Sequence, residues 1–191
     1  MEHYNKNNIN ILIEQMPKTP RISISFFFKV VKKEKFAGIN SLLARLLLQG
    51  TKNYSASKLA ELFENQCIDI TSKAKQDYLK LSLVFLNEDL KEAINLTKDL
   101  ILNSTFNDYK KEIYKMKNEI ISDLDNPKFK LTDCFVKTIF DNHPYSATHT
   151  KILESIDNIT KEDIIETHKE LLKNFHSIVF VGDYRLFELK F

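Results

Sequence analysis

Side chains capable of chemistry are sparse in this 191-residue chain. His143 and His149 stand six residues apart around a Pro-Tyr loop. Two ligands on one helix face are normally three or four residues apart, so this pair is only a weak metal alternative. Ser41 precedes Arg45 by one helical turn, but a nucleophilic serine needs a base, and the sequence places none beside it. His168 lies on an apolar helical stripe and reads as a packed, hydrogen-bonded core histidine. Lys110, Lys111, Lys115 and Lys117 alternate with Glu112 and Glu119, as on a solvated helix face. Cys67 and Cys134 fit no metal pattern and no disulfide framework, and their apolar neighbours predict buried free thiols. With only three glycines, Gly38, Gly50 and Gly182, no phosphate-cradling loop can be written.

Composition narrows the classes further. Lys+Arg number 28 and Asp+Glu 26, a net charge of +2 that offers no strong field to nucleic acid or an anionic membrane. Hydrophobic residues are 43% of the chain, enough for a sizeable core in a single domain. The first ten residues have no apolar h-region, and no run of 18 apolar residues occurs. The expectation is a cytoplasmic protein, or a periplasmic one if a leader has been removed.

Hydrophobic periodicity supplies the elements that must position any site. Ile9, Ile11 and Ile13 alternate, as do Ile22, Ile24, Phe26, Phe28 and Val30, predicting two strands around a Pro17/Pro20 turn. The Phe26–Phe28 run suggests a strand buried on both faces. Lys32–Lys35 reads as a charged loop. Ile39, Leu42, Leu43, Leu46 and Leu47 then follow a helical period up to Gly50, in a helix apolar enough to be buried. A second helix carries Leu59 and Phe63 behind Ser55 as N-cap. Strands return at Ile68–Ala74 and across Leu79–Phe85. Helices follow from Asn87, from Tyr109 to a stop near Pro127, across Leu131–Phe140, and around Ile152 and Ile156. Thr160 with Asp163 forms a capping-box signature before a helix bearing Ile164, Ile165, His168, Leu171 and Leu172. Ile178–Val181 is the last strand. The order ββααββ, several helices, then β predicts the α+β class: an antiparallel sheet with helices layered on one face.

Five strings, in order, resemble the pitrilysin/insulinase-type zinc peptidases, the group that includes the mitochondrial processing peptidase. They are Asn10–Pro17 leading into the Ile22–Val30 strand, GINSLLARLLLQGT at 38–51, Asn87–Phe106 ending in LNSTF, DNHPYS at 141–146, and NITKEDIIETHKELLKNFHSIVFVGD at 158–183. The resemblance implies one peptidase-like half-domain over residues 1–191, the N-terminal half of a subunit whose second half is absent. In catalytic members the helix ending in Gly-Thr carries His-x-x-Glu-His, two zinc ligands and a general base. Aligned on Gly38 and Gly50-Thr51, those positions are Ser41, Ala44 and Arg45, and the third ligand position falls near Ser122, flanked by Glu119 and Asp123. None of the first three can hold or serve a metal, and a fixed arginine charge would repel one.

The resemblance therefore implies a catalytically silent half-domain with no catalytic residues and no cofactor of its own, zinc being expected only in a catalytic partner. Its partners would be a homologous catalytic half or subunit and an extended peptide held on a sheet edge, with no nucleic acid and no membrane insertion. The alternative is a purely structural assembly subunit that binds partners and no peptide.

Overall fold

The computed structural model describes residues 1–31, 33–141 and 143–183; Lys32 of the charged loop, Asn142 of the DNHPYS string and residues 184–191 lie outside them. Among the described residues six strands are formed: β1 (Glu2–Lys6), β2 (Ile9–Gln15), β3 (Arg21–Lys29), β4 (Asp69–Ala74), β5 (Tyr78–Leu86) and β6 (Phe175–Gly182). The helices are α1 (Ile39–Leu46), α2 (Ala56–Asn65), α3 (Leu90–Asn103), α4 (Tyr109–Asp125), α5 (Pro127–Ile139), α6 (His149–Ser155) and α7 (Lys161–Lys173). The class is α+β.

The strands form one sheet in the order β1-β2-β6-β3-β5-β4. Every neighbouring pair is antiparallel except β2 with β6, which is parallel. The all-antiparallel expectation is corrected at that pair. β6 enters the sheet only after all seven helices and inserts between β2 and β3, so the hairpin-like order of β2 and β3 is split. β1 was not foreseen, because all five of its residues are exposed and show no apolar alternation.

Alternation places the apolar side chains on one face. Ile22 lies opposite Phe85, Ile24 opposite Leu83 and Phe28 opposite Leu79 in the β3–β5 register, and all six are buried. Ile13 pairs with Phe180 and continues the same face across the parallel pair. The helices cover this face in two groups. Leu59 and Phe63 of α2, with Ala93, Leu96 and Leu100 of α3, pack over β2, β3 and one end of β5. Leu42, Leu43 and Leu46 of α1, Ile113, Met116 and Ile120 of α4, and Ile164 and Leu171 of α7 pack over Phe28 and Leu79. Each fully buried Leu or Ile contributes about 1.5–3 kcal/mol, so α1, apolar nearly all round, is fixed between its neighbours by burial.

Phe27 points to the opposite face, where its ring meets Tyr78 edge-on at 5.5 Å. Of the three phenylalanines only Phe28 is fully buried, so β3 is not buried on both faces. The thiols also depart from expectation, since Cys67 and Cys134 are both exposed. Cys67 takes a left-handed backbone (φ 49°) just after α2, and the next residue, Ile68, fills the buried position. Cys134 lies on α5, whose buried side is narrow. Pro127 stops α4 as foreseen but also opens α5 at its first position, where the Asn126 side chain accepts the Lys128 N–H at 3.0 Å.

Candidate functional site

The strings that resemble the zinc-binding helix fall on α1. Gly38, at φ 84°, turns the chain into this helix, and a Cβ there would lie 3.0 Å from Ile152. The Glu34 carboxylate accepts N–H bonds from Gly38 (2.9 Å) and Asn40 (3.1 Å). Burial pushes its pKa above the usual carboxylate range, against the pull of those two bonds. At the other end, Gly50 and Thr51 bridge to Ser55 and Ser104. Helix α1 is thus pinned at both ends, with its leucines inward and Ser41 and Arg45 half-exposed on one line.

Helix α4 crosses α1. Met116 and Ile120 enter the core, and Glu119, between them in sequence, projects from the contact toward α1. The Arg45 guanidinium donates to both Glu119 oxygens, through Nη1 at 3.0 Å and through Nη2 in a shorter contact. This fork geometry matches guanidinium to carboxylate. The hydrogen bond raises the Arg45 pKa and lowers that of Glu119, so each group holds the other's charge in place. Glu112, buried two turns earlier on α4 and bonded to Lys115 at 2.6 Å, adds to the field at Arg45.

The residues singled out in the sequence separate as follows. Ser41 borders a small cavity of about 70 Å³ beside Gly38, Glu34, Ala74 and Ile152. Ala44 is buried at 2% exposure, and Arg45 reaches α4. Ser122 is exposed, and Asp123 turns to His149, whose Nε2 is 3.7 Å from its carboxylate. The side chain that α4 offers to α1 is therefore Glu119, one turn before Ser122. Spacing along α4 shows that Glu119 and Ser122 are neighbours, but the choice between them depends on how two helices 74 residues apart cross.

His143 and His149 have different partners. His143 Nδ1 accepts the Tyr145 N–H at 3.2 Å. His149 Nδ1 lies 3.1 Å from Asp133, whose carboxylate also accepts the backbone N–H groups of His149 and Thr150. Among the described residues no group of three His, Cys, Asp or Glu side chains could hold a metal ion. Zinc does not fit the α1–α4 contact as it stands, because Glu119 is its one carboxylate and is bonded to the Arg45 cation, with only the Ser41 hydroxyl one turn away on α1. His168 is 7% exposed and donates from Nε2 to the Ile101 carbonyl at 2.8 Å, with its ring edge-on to Phe106. Burial lowers its pKa. In the lysine cluster, Lys115 pairs with Glu112 and Lys117 with Asp157.

Strand β4 completes the site. It is an edge of the sheet, paired only with β5 and packed beside α1, with its residues alternating between exposed and half-buried. Within it, the Ser72 hydroxyl is buried with no hydrogen-bond partner. An exposed edge strand leaves main-chain N–H and C=O groups unpaired whatever the nearby side chains.

No helix among the described residues is long and apolar enough to cross a membrane. The fold is similar to that of a peptidase M16 inactive domain from Pseudomonas fluorescens, with a TM-score of 0.82 at 21% identity over 95% of this chain and 46% of that one. It is likewise similar to a protease from Helicobacter pylori, with a TM-score of 0.84 at 22% identity and the same coverage. By sequence, an uncharacterized zinc protease of Rickettsia felis is 23% identical over 84% of this chain and 40% of its own length. The Helicobacter pylori non-peptidase homolog YmxG is 27% identical over 78% of this chain and 35% of its own length. The chain thus spans less than half the length of these relatives. The signature of the insulinase family (peptidase family M16) matches residues 11–128, which places α1, β4 and the Arg45–Glu119 pair inside the match, and the chain belongs to that family.

Proposed function

We propose that this chain is a catalytically silent half-domain of an M16 peptidase assembly. It holds no zinc, pairs with a homologous half that carries the catalytic residues, and completes the wall of a peptide-binding chamber. The observation that carries this reading is the Arg45–Glu119 pair. A guanidinium occupies one of the ligand positions and is bonded to the one carboxylate that α4 directs there. The name of the Helicobacter pylori relative, a non-peptidase homolog, supports the same reading. The free β4 edge favours a half that still touches peptide over a purely structural subunit, because strand addition needs no metal.

The purified chain should carry far less than one zinc per molecule by elemental analysis and should leave an unstructured fluorogenic peptide intact. Mixed with a homologous half bearing His-x-x-Glu-His, it should form a complex that cleaves the peptide faster than that half alone. One zinc per chain that survives dialysis, or cleavage by this chain alone, would overturn the proposal. A complex with unchanged cleavage and no peptide cross-linked to β4 would establish the structural-subunit reading instead.

A further inference from the structure

Strand β1 is one edge of the sheet and, among the described residues, pairs only with β2. All five of its residues are exposed. Asn7 and Asn8, at φ 53° and 64°, make the two-residue turn into β2, and Lys6 lies opposite Ile9 across it. The far side of β2 shows which way the main-chain groups of β1 point. The Met16 N–H donates to the Gly182 carbonyl at the end of β6 at 3.0 Å, so even-numbered residues of β2 turn their main-chain groups to β6 and odd-numbered ones to β1. Ile9, Ile11 and Ile13 therefore bond to Lys6, Tyr4 and Glu2, and the N–H and C=O groups of His3 and Asn5 point out of the sheet.

Charges on an edge strand usually keep it from pairing. Those of β1 are placed so that a second copy of the same strand matches them. In antiparallel pairing about a two-fold axis at Tyr4, His3 of each copy lies opposite Asn5 of the other, so outward main-chain groups meet outward main-chain groups. The same register sets Glu2 opposite Lys6 on both sides of the axis, an opposite-charge pair each time. It also brings the two Tyr4 side chains, each 44% exposed, together at the axis in the closer, non-hydrogen-bonded kind of pair. An axis at His3 or at Asn5 would match outward groups as well, but it would set Glu2 or Lys6 opposite Tyr4. The strand is thus self-complementary in backbone and in charge in one register, as a two-fold interface requires.

We infer that β1 is a homodimer edge whose occupant is β1 of a second copy of this chain, paired antiparallel about Tyr4 so that one sheet runs through both copies. The inference goes beyond the proposed function and does not depend on whether the α1–α4 site is silent or on what meets β4 at the other edge. Pairing of two five-residue strands covers less than the ~800 Å² per partner of a standard interface, so the dimer dissociates at roughly 100 μM.

The test is sedimentation of the intact chain, without an N-terminal tag, from about 10 to about 500 μM, which should show reversible dimerisation. Asn5→Pro should weaken the dimer about tenfold or more, because it removes half of the main-chain bonds across the axis while β1 keeps its ladder to β2. Asn5→Ala, which loses the side-chain bond to Asn10 but keeps the N–H, should leave dimerisation near the parent value. Glu2→Lys alone and Lys6→Glu alone should each weaken the dimer several-fold, and the double variant Glu2→Lys/Lys6→Glu should restore it. With Cys67 and Cys134 replaced by serine, Tyr4→Cys should oxidise to a disulfide-linked dimer, since a non-hydrogen-bonded pair holds its Cα atoms within disulfide range, and Lys6→Cys should not. A monomer throughout the range, a dimer indifferent to Asn5→Pro, or failure of the double reversal to restore what the single reversals lose would each overturn the proposal. A complex formed only with a homologous half, with no self-association, would do the same while leaving the proposed function intact.

Discussion

Replacing Ser41 and Arg45 with histidine should convert the α1–α4 contact into a zinc site, and the structure sets how large the effect should be. The two positions are four residues apart on one line of α1, so both imidazoles would project from the helix face from which Arg45 reaches α4. Removing Arg45 frees Glu119 as the third ligand. Little fold stability is lost, because Arg45 and Glu119 are 36% and 54% exposed and an ion pair this open to solvent contributes no more than about 1 kcal/mol. Ala44 is best left alone, because at 2% exposure it has no room for a glutamate without overpacking of about 1–3 kcal/mol. The double variant should therefore fold, lack a general base, and bind zinc with two nitrogen ligands and one oxygen ligand.

A dissociation constant of about 1 μM or below, near −8 kcal/mol, is expected at neutral pH, against no binding expected of the parent. Competition against a chromogenic chelator measures the constant, and cobalt in place of zinc reports tetrahedral geometry by its visible absorption. Glu119→Gln on this background should reduce affinity about 100-fold or more, since loss of a direct ligand exceeds the 10–100-fold cost of losing an outer-shell partner. Affinity no better than that of the parent, in a variant whose urea midpoint is unchanged, would show that Ser41 and Arg45 are not the ligand pair. A loss that followed Asp123→Asn instead of Glu119→Gln would move the third position back toward Ser122.

Two further outcomes concern acid stability. The Lys35 ammonium and the Thr160 capping bonds hold the Asp163 carboxyl down to about 2. Its folded pKa lies below its unfolded value, so the stabilisation is present above about pH 4 and is lost as pH falls toward 2; with the exposed Lys35 discounted it amounts to about 1 kcal/mol. Asp163→Asn should lower the unfolding free energy from urea titration at pH 7 by about that much and flatten its dependence between pH 4 and 2. His168 acts in the same direction at higher pH, because burial favours its neutral form. The unfolded chain takes up a proton below about pH 6.5 that the folded chain resists, so stability should fall as pH drops through that point. His168→Gln should abolish this part of the pH dependence, and a slope unchanged in the variant would assign it to another group.

Local rules carried much of this fold into the sequence. The alternation of Ile22, Ile24 and Phe28 and the helical period of Ile39–Leu47 each reflect one face buried against one layer, which a short window can show. The capping box at Thr160 and Asp163 is local chemistry and formed as expected. What failed was set by tertiary contact. Nothing near Phe175 indicates that β6 inserts between β2 and β3. The apolar neighbours of Cys67 and Cys134 belong to elements with a buried side, but apolar content does not say which residues take that side. Ser122 and Glu119 lie within one turn of α4, and only the crossing with α1 selects Glu119.

That crossing also explains how the site can keep its shape on the reading proposed here. Two histidines, a glutamate and zinc would tie α1 to α4 through a single central cation. A guanidinium on α1 forked onto a carboxylate of α4 ties the same two helices with a covalently attached cation that cannot dissociate or lose its proton at any physiological pH. Lysine would supply the charge as a point on a flexible stem, without the planar fork that fixes direction. On the proposed reading, Arg45 stands at a ligand position and brings its own cation to Glu119, while the buried leucines hold α1 beside β4. A silent half that kept the helix but lost the cation would leave Glu119 and Glu112 on α4 without the Arg45 charge. On the proposed reading, the Arg45–Glu119 pair is therefore a sign of architecture retained without catalysis, in a half that offers its edge strand to a partner or a peptide.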